Sequence, residues 1–143
     1  MEWAALITWV LTAGGGFFML GLWLKHGGMQ QSDRPGARIR SARILSHFAL
    51  AAIGLVLWIV YLASDSDVLA WIAFVLLLVV ALIGFSMLAI WLGQRRHPTA
   101  TAGTSAGAAG SPAEQRFPVA VVVLHGVLAA TTLVLVLLTA AGS

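Results

Sequence analysis

The sequence predicts an all-α membrane protein, a single membrane domain over residues 1–143 folded as an up-down bundle of four transmembrane helices. Three observations lead to this prediction. Of the 143 residues, 60% are hydrophobic and only 9% are charged, which is more apolar surface than a soluble domain of this size can bury. Four apolar runs are long enough to cross a bilayer, and two pairs of phrases repeat along the chain.

The four spans are runs of about 20 residues or more without Asp, Glu, Lys or Arg, the length that a helix needs to cross the hydrocarbon core. Backbone polar groups in lipid must be satisfied within their own segment, so each run is expected to be a helix. We place the spans at residues 3–24, 44–63, 68–92 and 118–140. The lipid bilayer is therefore the first expected partner.

The charged residues predict the orientation. All basic residues lie in the loops between spans 1 and 2 and between spans 3 and 4, or at the helix ends beside them, whereas Glu2, Asp65 and Asp67 lie on the opposite side. The positive-inside rule then places both basic loops in the cytoplasm and both termini outside. The bias towards Ala, Gly, Val, Leu and Arg is typical of a GC-rich bacterial genome, so the expected location is a bacterial cell membrane. The basic residues are Lys25, Arg34, Arg38, Arg40, Arg43, Arg95, Arg96 and Arg116.

The two basic loops have different compositions. Residues 95–116 are rich in Ala, Gly, Ser, Thr and Pro, which predicts a flexible tether with no fold of its own. Residues 27–40 are polar and basic, and their expected role is to set the topology. Because no basic domain lies outside the spans, nucleic acid is not an expected partner. The chain has no cysteine, so thiolate and disulfide chemistry are excluded.

The repeated phrases indicate an internal duplication. GFFMLGLWL at 16–24 matches GFSMLAIWL at 84–92 at six of nine positions, with an offset of 68 residues. HFALAAIGLVL at 47–57 matches HGVLAATTLVL at 125–135 at seven of eleven positions, with an offset of 78. The bundle is thus predicted to consist of two tandem two-helix repeats, about 1–63 and 68–140. Both repeats begin on the same side, so they would be parallel and related by a pseudo-twofold axis along the membrane normal.

The duplication makes His47 and His125 equivalent residues of spans 2 and 4. An ionisable residue within a span normally faces the bundle interior and marks a functional site. Spans 2 and 4 are diagonal in an up-down bundle, and their axes are expected to lie roughly 12–14 Å apart. This distance is too long for a direct hydrogen bond between the imidazoles, but it suits two axial ligands that hold a flat cofactor between them.

Haem b is the cofactor that this pattern favours, with His47 and His125 as the metal ligands. Met19 and Met87, in the first pair of repeated phrases, would line its edges. Basic side chains at the cytoplasmic end could pair with the haem propionates. The candidates for that role include Arg43 and Arg116, together with Arg38 and Arg40.

Four helices, basic cytoplasmic loops and paired intramembrane histidines resemble the small membrane-bound b-type cytochromes. The resemblance implies haem b with bis-histidine ligation, and one-electron transfer with a quinone or a membrane redox complex. Many of these cytochromes have four haem-ligating histidines and two haems. Only two histidines lie clearly within the spans here, so the resemblance implies one haem at most.

Other functions stay open at this point. Each histidine could instead bond a backbone carbonyl or reach the lipid headgroups, and the chain would then be a non-catalytic accessory or assembly protein. Thioether and imidazole together also suit copper, although carriers commonly use an intramembrane carboxylate, which the spans lack. No catalytic residue set is evident, so an enzyme acting on its own is not expected. Association with a second copy of the chain is plausible for so few helices.

The remaining singled-out residues have structural interpretations. His26 and His97 are expected at the membrane interface. Trp3, Trp23, Trp71 and Trp91 lie at helix ends and fit an interfacial aromatic belt, whereas Trp9 and Trp58 are expected to pack inside. The AGGG segment at 13–16 should allow close helix contact. The threonines of the spans are expected to bond their own helix backbone.

Overall fold

Long α-helices run through all four predicted spans. The computed structural model describes residues 1–32, 34, 37–96 and 112–142. In these residues the transmembrane helices are α1 (Glu2–Lys25), α3 (Ser41–Ser64), α4 (Asp67–Arg96) and α5 (Val119–Gly142), with a short helix α2 (Gly28–Ser32) and a 3₁₀ helix (Ala113–Arg116) at one end. All four long helices are apolar enough to cross a membrane. The chain is a multi-pass α-helical membrane protein, as predicted.

The helices form the predicted up-down bundle. Helix α1 packs most closely against α5, and α3 packs most closely against α4; α1 also contacts α3, and α4 contacts α5. Within the described residues α1 and α4 have no backbone contact, and neither do α3 and α5. These two pairs are therefore the diagonals. The second helix of each half packs mainly against the first helix of the other half.

The two ends of the bundle differ in charge. The acidic end carries Glu2, Asp65 and Asp67, and the basic end carries Lys25, Arg95 and the other basic residues of the loops. Helix α3 begins at Ser41, in the segment before the predicted start at residue 44. The basic side chains of that segment shorten the apolar run but do not interrupt the helix, because arginine is a good helix former.

An aromatic core fills the half of the bundle nearer the acidic end. Trp9 and Trp58 are 3% and 0% exposed, their ring centroids are 6.5 Å apart, and Tyr61 lies 4.8 Å from Trp58. The absence of a side chain at Gly54 makes room for this core, since a Cβ there would lie 3.0 Å from the Trp9 ring. The Trp58 indole N–H donates to the Glu2 carbonyl at 3.3 Å. Both tryptophans pack inside, as predicted.

Burial follows the offsets of the sequence repeats. The buried residues Ala5, Trp9, Thr12 and Trp23 of α1 correspond, 68 positions later, to Ala73, Leu77, Val80 and Trp91 of α4, which are also buried. Gly54 and Trp58 of α3 correspond, 78 positions later, to the buried Thr132 and Val136 of α5. Equivalent positions thus face the interior in both halves. The duplication itself stays a prediction.

The surface around the middle of the bundle is apolar. Phe17 is 58% exposed and Leu82 is 62% exposed, as expected of side chains that contact lipid rather than water. The hydroxyls of the span threonines do not break this surface, because each donates to a carbonyl one turn earlier in its own helix. The threonines concerned are Thr8, Thr12, Thr131, Thr132 and Thr139.

Candidate cofactor site

His47 lies in the second turn of α3, and its side chain reaches α4, the neighbouring helix of the other half. Its Nδ1 is 3.0 Å from the carbonyl oxygen of Val80 on α4. A carbonyl can only accept a hydrogen bond, so Nδ1 carries the proton. The helical carbonyl is available because its oxygen has a second lone pair beyond the one used in the helix ladder. In the neutral ring, Nε2 is then left with a free lone pair.

His125 repeats this arrangement on the other side of the bundle. Its Nδ1 lies 2.9 Å from the carbonyl oxygen of Thr12 on α1. Thr12 and Val80 are 68 residues apart, the offset of the first pair of repeated phrases. Each half therefore supplies one histidine and the carbonyl that orients the histidine of the other half. The two bonds tie α1 to α5 and α3 to α4.

Two equivalent glycines let the imidazoles approach the facing helix. A Cβ at Gly16 would lie 3.3 Å from Cε1 of His125, and a Cβ at Gly84 would lie 3.1 Å from Cε1 of His47. Both distances are shorter than the usual carbon–carbon contact of about 3.5–4.0 Å. A larger residue would push either ring off its carbonyl. The close contact predicted for the AGGG segment is therefore a contact with His125 rather than with a helix backbone.

The two rings meet across the α3–α5 diagonal. Their centroids are 6.4 Å apart, and their planes are inclined by 55°. Two imidazoles bound in line to one metal ion would have centroids about 6.5 Å apart, since the metal–nitrogen bond is about 2.0–2.1 Å and the nitrogen lies about 1.2 Å from the ring centre. The centroid separation is thus compatible with a bis-histidine site, and the rings are too far apart to bond each other.

The Nε2 atoms are the ligand positions that remain. In the part of the chain that the structure describes, each ring makes one hydrogen bond, through Nδ1. Every buried side-chain nitrogen or oxygen in that part has a hydrogen-bond partner. Because neither Nε2 has one, neither atom is fully buried, and a ligand could reach it. A metal-binding histidine usually donates its other ring N–H to a carbonyl or carboxylate, which fixes the tautomer and the ring orientation. His47 and His125 both have that second partner already in place.

An apolar groove of about 300 Å³ reaches one of the two rings. It lies between α1 and α5. Its lining residues are Leu11, Gly15, Val121, Leu124, His125 and Leu128. The positions equivalent to Gly15 and Leu124 in the other half are Ile83 and Ser46. The symmetry that relates the histidines therefore does not extend to their surroundings.

The other predicted site residues lie nearer the basic end. Met19 and Met87 are both half-buried on the diagonal helices α1 and α4, each three residues beyond the glycine that contacts a histidine. Arg43 is half-buried one helical turn before His47, whereas Arg116 is exposed at the end of the 3₁₀ helix. Of the two, only Arg43 is on the same helix as a site histidine and within one turn of it.

No cluster of three or more His, Cys, Asp or Glu side chains that could hold a metal ion is present among the described residues. The histidine pair therefore has no third protein ligand of these types nearby. Two axial nitrogens suffice for haem, because the porphyrin supplies the other four. A bare copper ion would need further ligands, and the thioethers of Met19 and Met87 are the ones that the sequence offers. His26 bonds the Leu22 carbonyl through Nδ1, and His97 lies outside the described residues.

A polar cluster covers the basic end of the bundle. The Trp91 indole N–H donates to the Glu114 carbonyl at 2.9 Å, and the Gln94 amide donates to the Glu114 side chain at 3.2 Å. The Gln31 side chain accepts from the Ala113 amide at 2.8 Å, which joins α2 to the 3₁₀ helix. These side chains link three segments that are far apart in sequence.

This cluster corrects two expectations. Residues 113–116 were predicted to belong to a tether with no fold of its own, but they form a 3₁₀ helix with Ala113 and Glu114 buried; residues 97–111 of that tether lie outside the described residues. Trp23 and Trp91 were predicted in the interfacial belt, but they are 1% and 5% exposed. The reason is that the loops fold back over them: Trp23 lies directly under Gly28 of α2. Trp3 and Trp71 are exposed, as expected.

Little in the sequence predicts this cluster. Gln94 precedes Arg95, and the pair Glu114 and Gln115 precedes Arg116, a pattern that usually marks a solvated loop. The one available signal was the pair Trp23 and Trp91 at the repeat offset. Comparisons with known proteins add nothing to the site, because no protein family, no curated protein and no solved structure matches the chain.

Proposed function

We propose that the protein binds one haem b between His47 and His125 and transfers single electrons within a bacterial cell membrane. The observation that carries the proposal is the pair of imidazoles with centroids 6.4 Å apart, each with Nδ1 bonded to a backbone carbonyl. An accessory protein held together only by packing has no need of two facing imidazoles that each use Nδ1 for a backbone carbonyl and leave Nε2 unbonded.

The residues present fit a bis-histidine haem. Each imidazole uses Nδ1 for a backbone carbonyl, which leaves Nε2 for iron, and a glycine of the facing helix lies against each ring. Bound haem supplies reversible one-electron redox chemistry. Because His47 and His125 would fill both axial positions, no position would remain for oxygen or a substrate. The pair therefore favours electron transfer over oxygen chemistry.

The charge distribution supports an orientation. With the basic end in the cytoplasm, the histidines would lie nearer the cytoplasmic face than the outer face, since His47 is only two turns from the start of α3. Arg43 would then be close enough to pair with a propionate. The electron partner would be a quinone or a membrane redox complex, and a second copy of the chain is a possible neighbour.

The visible spectrum tests the proposal. The protein is expressed with ample haem, purified in mild detergent, and measured oxidised and after reduction with dithionite. We expect a Soret band and sharp reduced α and β bands in the wild type. His47→Ala and His125→Ala should each lose the low-spin spectrum, whereas His26→Ala, whose imidazole bonds its own helix, should keep it. Circular dichroism confirms that the variants remain helical.

The other outcomes reject the proposal. A wild type that stays colourless and takes up no added haemin would leave the histidines as links between helices, in an accessory or assembly protein. A bound metal ion without porphyrin, lost in Met19→Leu or Met87→Leu, would instead indicate a metal-handling protein. Spectra that survive both His→Ala changes would show that the haem is bound elsewhere.

A further inference from the structure

The polar cluster at the basic end brings together arginines from α4 and from the 3₁₀ helix. The Gln115 side-chain amide donates to the Gln94 side-chain carbonyl at 2.8 Å, so the end of α4 and the 3₁₀ helix meet there. Arg95 and Arg96 follow Gln94 in the sequence, and Arg116 follows Gln115. All three arginines are exposed. We call this group, Arg95, Arg96 and Arg116, the cationic corner.

The nearby negative charge is covered by the protein. Glu114 is the one acidic residue that the structure describes at the basic end. It is only 7% exposed, and its side chain accepts a hydrogen bond from the Gln94 amide at 3.2 Å. The three positive charges of the cationic corner face outward instead. An anion that approaches this part of the surface therefore meets an excess of positive charge.

Trp91 holds one of the guanidinium groups in place. The Arg95 guanidinium carbon lies 4.7 Å from the centroid of the Trp91 ring, which is a cation–π distance. The ring itself is buried, and its indole N–H is bonded to the Glu114 carbonyl at 2.9 Å. A guanidinium that is already ordered loses less conformational entropy when it binds an anion. Its planar set of N–H donors matches the oxygens of a phosphate group.

The surface next to the cationic corner is apolar and belongs to the spans. Leu92 of α4 and Val119 and Val123 of α5 are exposed, so lipid chains cover them in the bilayer. Arg95 lies three residues beyond Leu92, and Arg116 lies three residues before Val119. The cationic corner is therefore about one helical turn beyond the apolar surface. That is the depth at which the headgroups of the lipids lie.

We propose that the cationic corner binds the phosphate of an anionic phospholipid, whose acyl chains lie against Leu92, Val119 and Val123. The positive charge complements the phosphate, and the exposed apolar residues continue the site into the bilayer. Free phosphate, nucleic acid and soluble acidic proteins have no part that would contact those residues. The proposal goes beyond haem binding and does not depend on it. It also gives the polar cluster a function, since the cluster holds the arginines together.

Selective binding of phosphatidylglycerol tests the proposal. The full chain in a neutral detergent is titrated with phosphatidylglycerol or with phosphatidylcholine of the same acyl chains, and native mass spectrometry counts the bound lipids. We expect one phosphatidylglycerol to bind about tenfold or more tightly than phosphatidylcholine. A phosphatidylglycerol with a photoreactive acyl chain should crosslink to peptides that contain Leu92 or residues 117–123. Equal affinities for the two lipids, or crosslinks confined to α1 and α3, would overturn the proposal.

Two matched double variants separate a site from diffuse attraction. Arg95→Gln/Arg116→Gln removes two charges of the cationic corner, and each basic residue near anionic lipid contributes about fivefold, so phosphatidylglycerol should bind about 30-fold more weakly. Arg34→Gln/Arg38→Gln removes the same charge from exposed residues between α1 and α3. This control should stay within about threefold of the wild type. Equal losses in the two double variants would show that the whole basic end attracts lipid without a site, and would refute the proposal.

Competition distinguishes a lipid site from a site for a free anion. Inorganic phosphate is added to the complex with phosphatidylglycerol at constant ionic strength. We expect it to leave the lipid bound, because it makes no contact with the exposed apolar residues of α4 and α5. Displacement of the lipid by an equal concentration of inorganic phosphate would show that the cationic corner binds free phosphate, and the lipid proposal would then be wrong.

Discussion

Replacing Gly84 by alanine places one methyl group against the His47 imidazole. The new Cβ would lie 3.1 Å from Cε1 of His47, whereas carbon atoms attract best at about 3.5–4.0 Å. The ring must therefore withdraw by about half an ångström. Its Nδ1 is now 3.0 Å from the Val80 carbonyl, so the bond would lengthen beyond the usual upper limit of about 3.2 Å.

The effects on stability largely cancel. An interhelical hydrogen bond in a membrane protein is worth about 0.6 kcal/mol on average and about 1.7 kcal/mol at most. Alanine in place of glycine within a helix stabilises by about 0.5–1 kcal/mol. The free energy of unfolding of Gly84→Ala should therefore stay within about 1 kcal/mol of the wild type. Haem affinity should fall by about 10–100-fold, because the carbonyl no longer orients the ligand.

The assay separates these two effects. Haem affinity is measured by titrating the apo-protein with haemin, and stability by unfolding in a denaturing detergent. Gly93→Ala on the same helix is the control, since a Cβ there meets nothing within 4 Å; it should show the helix-propensity gain and unchanged haem affinity. If Gly84→Ala binds haem as tightly as Gly93→Ala, the contact between Gly84 and His47 does not position the ligand, and the reasoning fails.

Three further changes test the fold. Gly54→Ala should destabilise the bundle by about 1–3 kcal/mol through overpacking of the aromatic core, as measured by unfolding in detergent. Gly126→Ala is the control and should not destabilise it, because a Cβ there meets nothing within 4 Å. Equal stability of the two variants would contradict this account. Trp91→Phe removes the hydrogen bond to the Glu114 carbonyl, which is worth about 0.5–1.5 kcal/mol. The rate of amide hydrogen exchange in the 3₁₀ helix should therefore rise, up to about tenfold. An unchanged rate would show that the indole does not anchor the 3₁₀ helix. Because the chain has no cysteine, single Asp65→Cys and Ser105→Cys variants report the orientation: in intact cells an impermeant maleimide should label only the first, and the reverse labelling would invert the topology.

Parts of the site follow from the sequence because they repeat. The matching phrases identified His47 and His125 as one equivalent pair, and Gly16 and Gly84 as another. The diagonal placement of the histidines then followed from the up-down order. The carbonyls of Thr12 and Val80 could not be foreseen, since any helical residue offers the same backbone oxygen and only the packing angle selects one.

The polar cluster at the basic end shows where hydropathy stops being informative. Helix α4 continues to Arg96, four residues past its predicted end at 92, because Gln94 is held by the Glu114 side chain rather than exposed to water. A polar residue outside an apolar run has the same pattern whether it is solvated or paired. Only its partner, twenty residues along the chain, distinguishes the two cases.

The four helices, their up-down order and the equivalence of the two histidines can be predicted from the sequence alone. These depend on hydrophobic length and on internal repetition, which are properties of the chain read in one dimension. The backbone carbonyl that orients each imidazole, the distance between the rings and the groove beside His125 are known only from the folded structure. Those features depend on helix rotation and on which side chains meet across an interface, and a uniformly apolar sequence leaves helix rotation almost unconstrained.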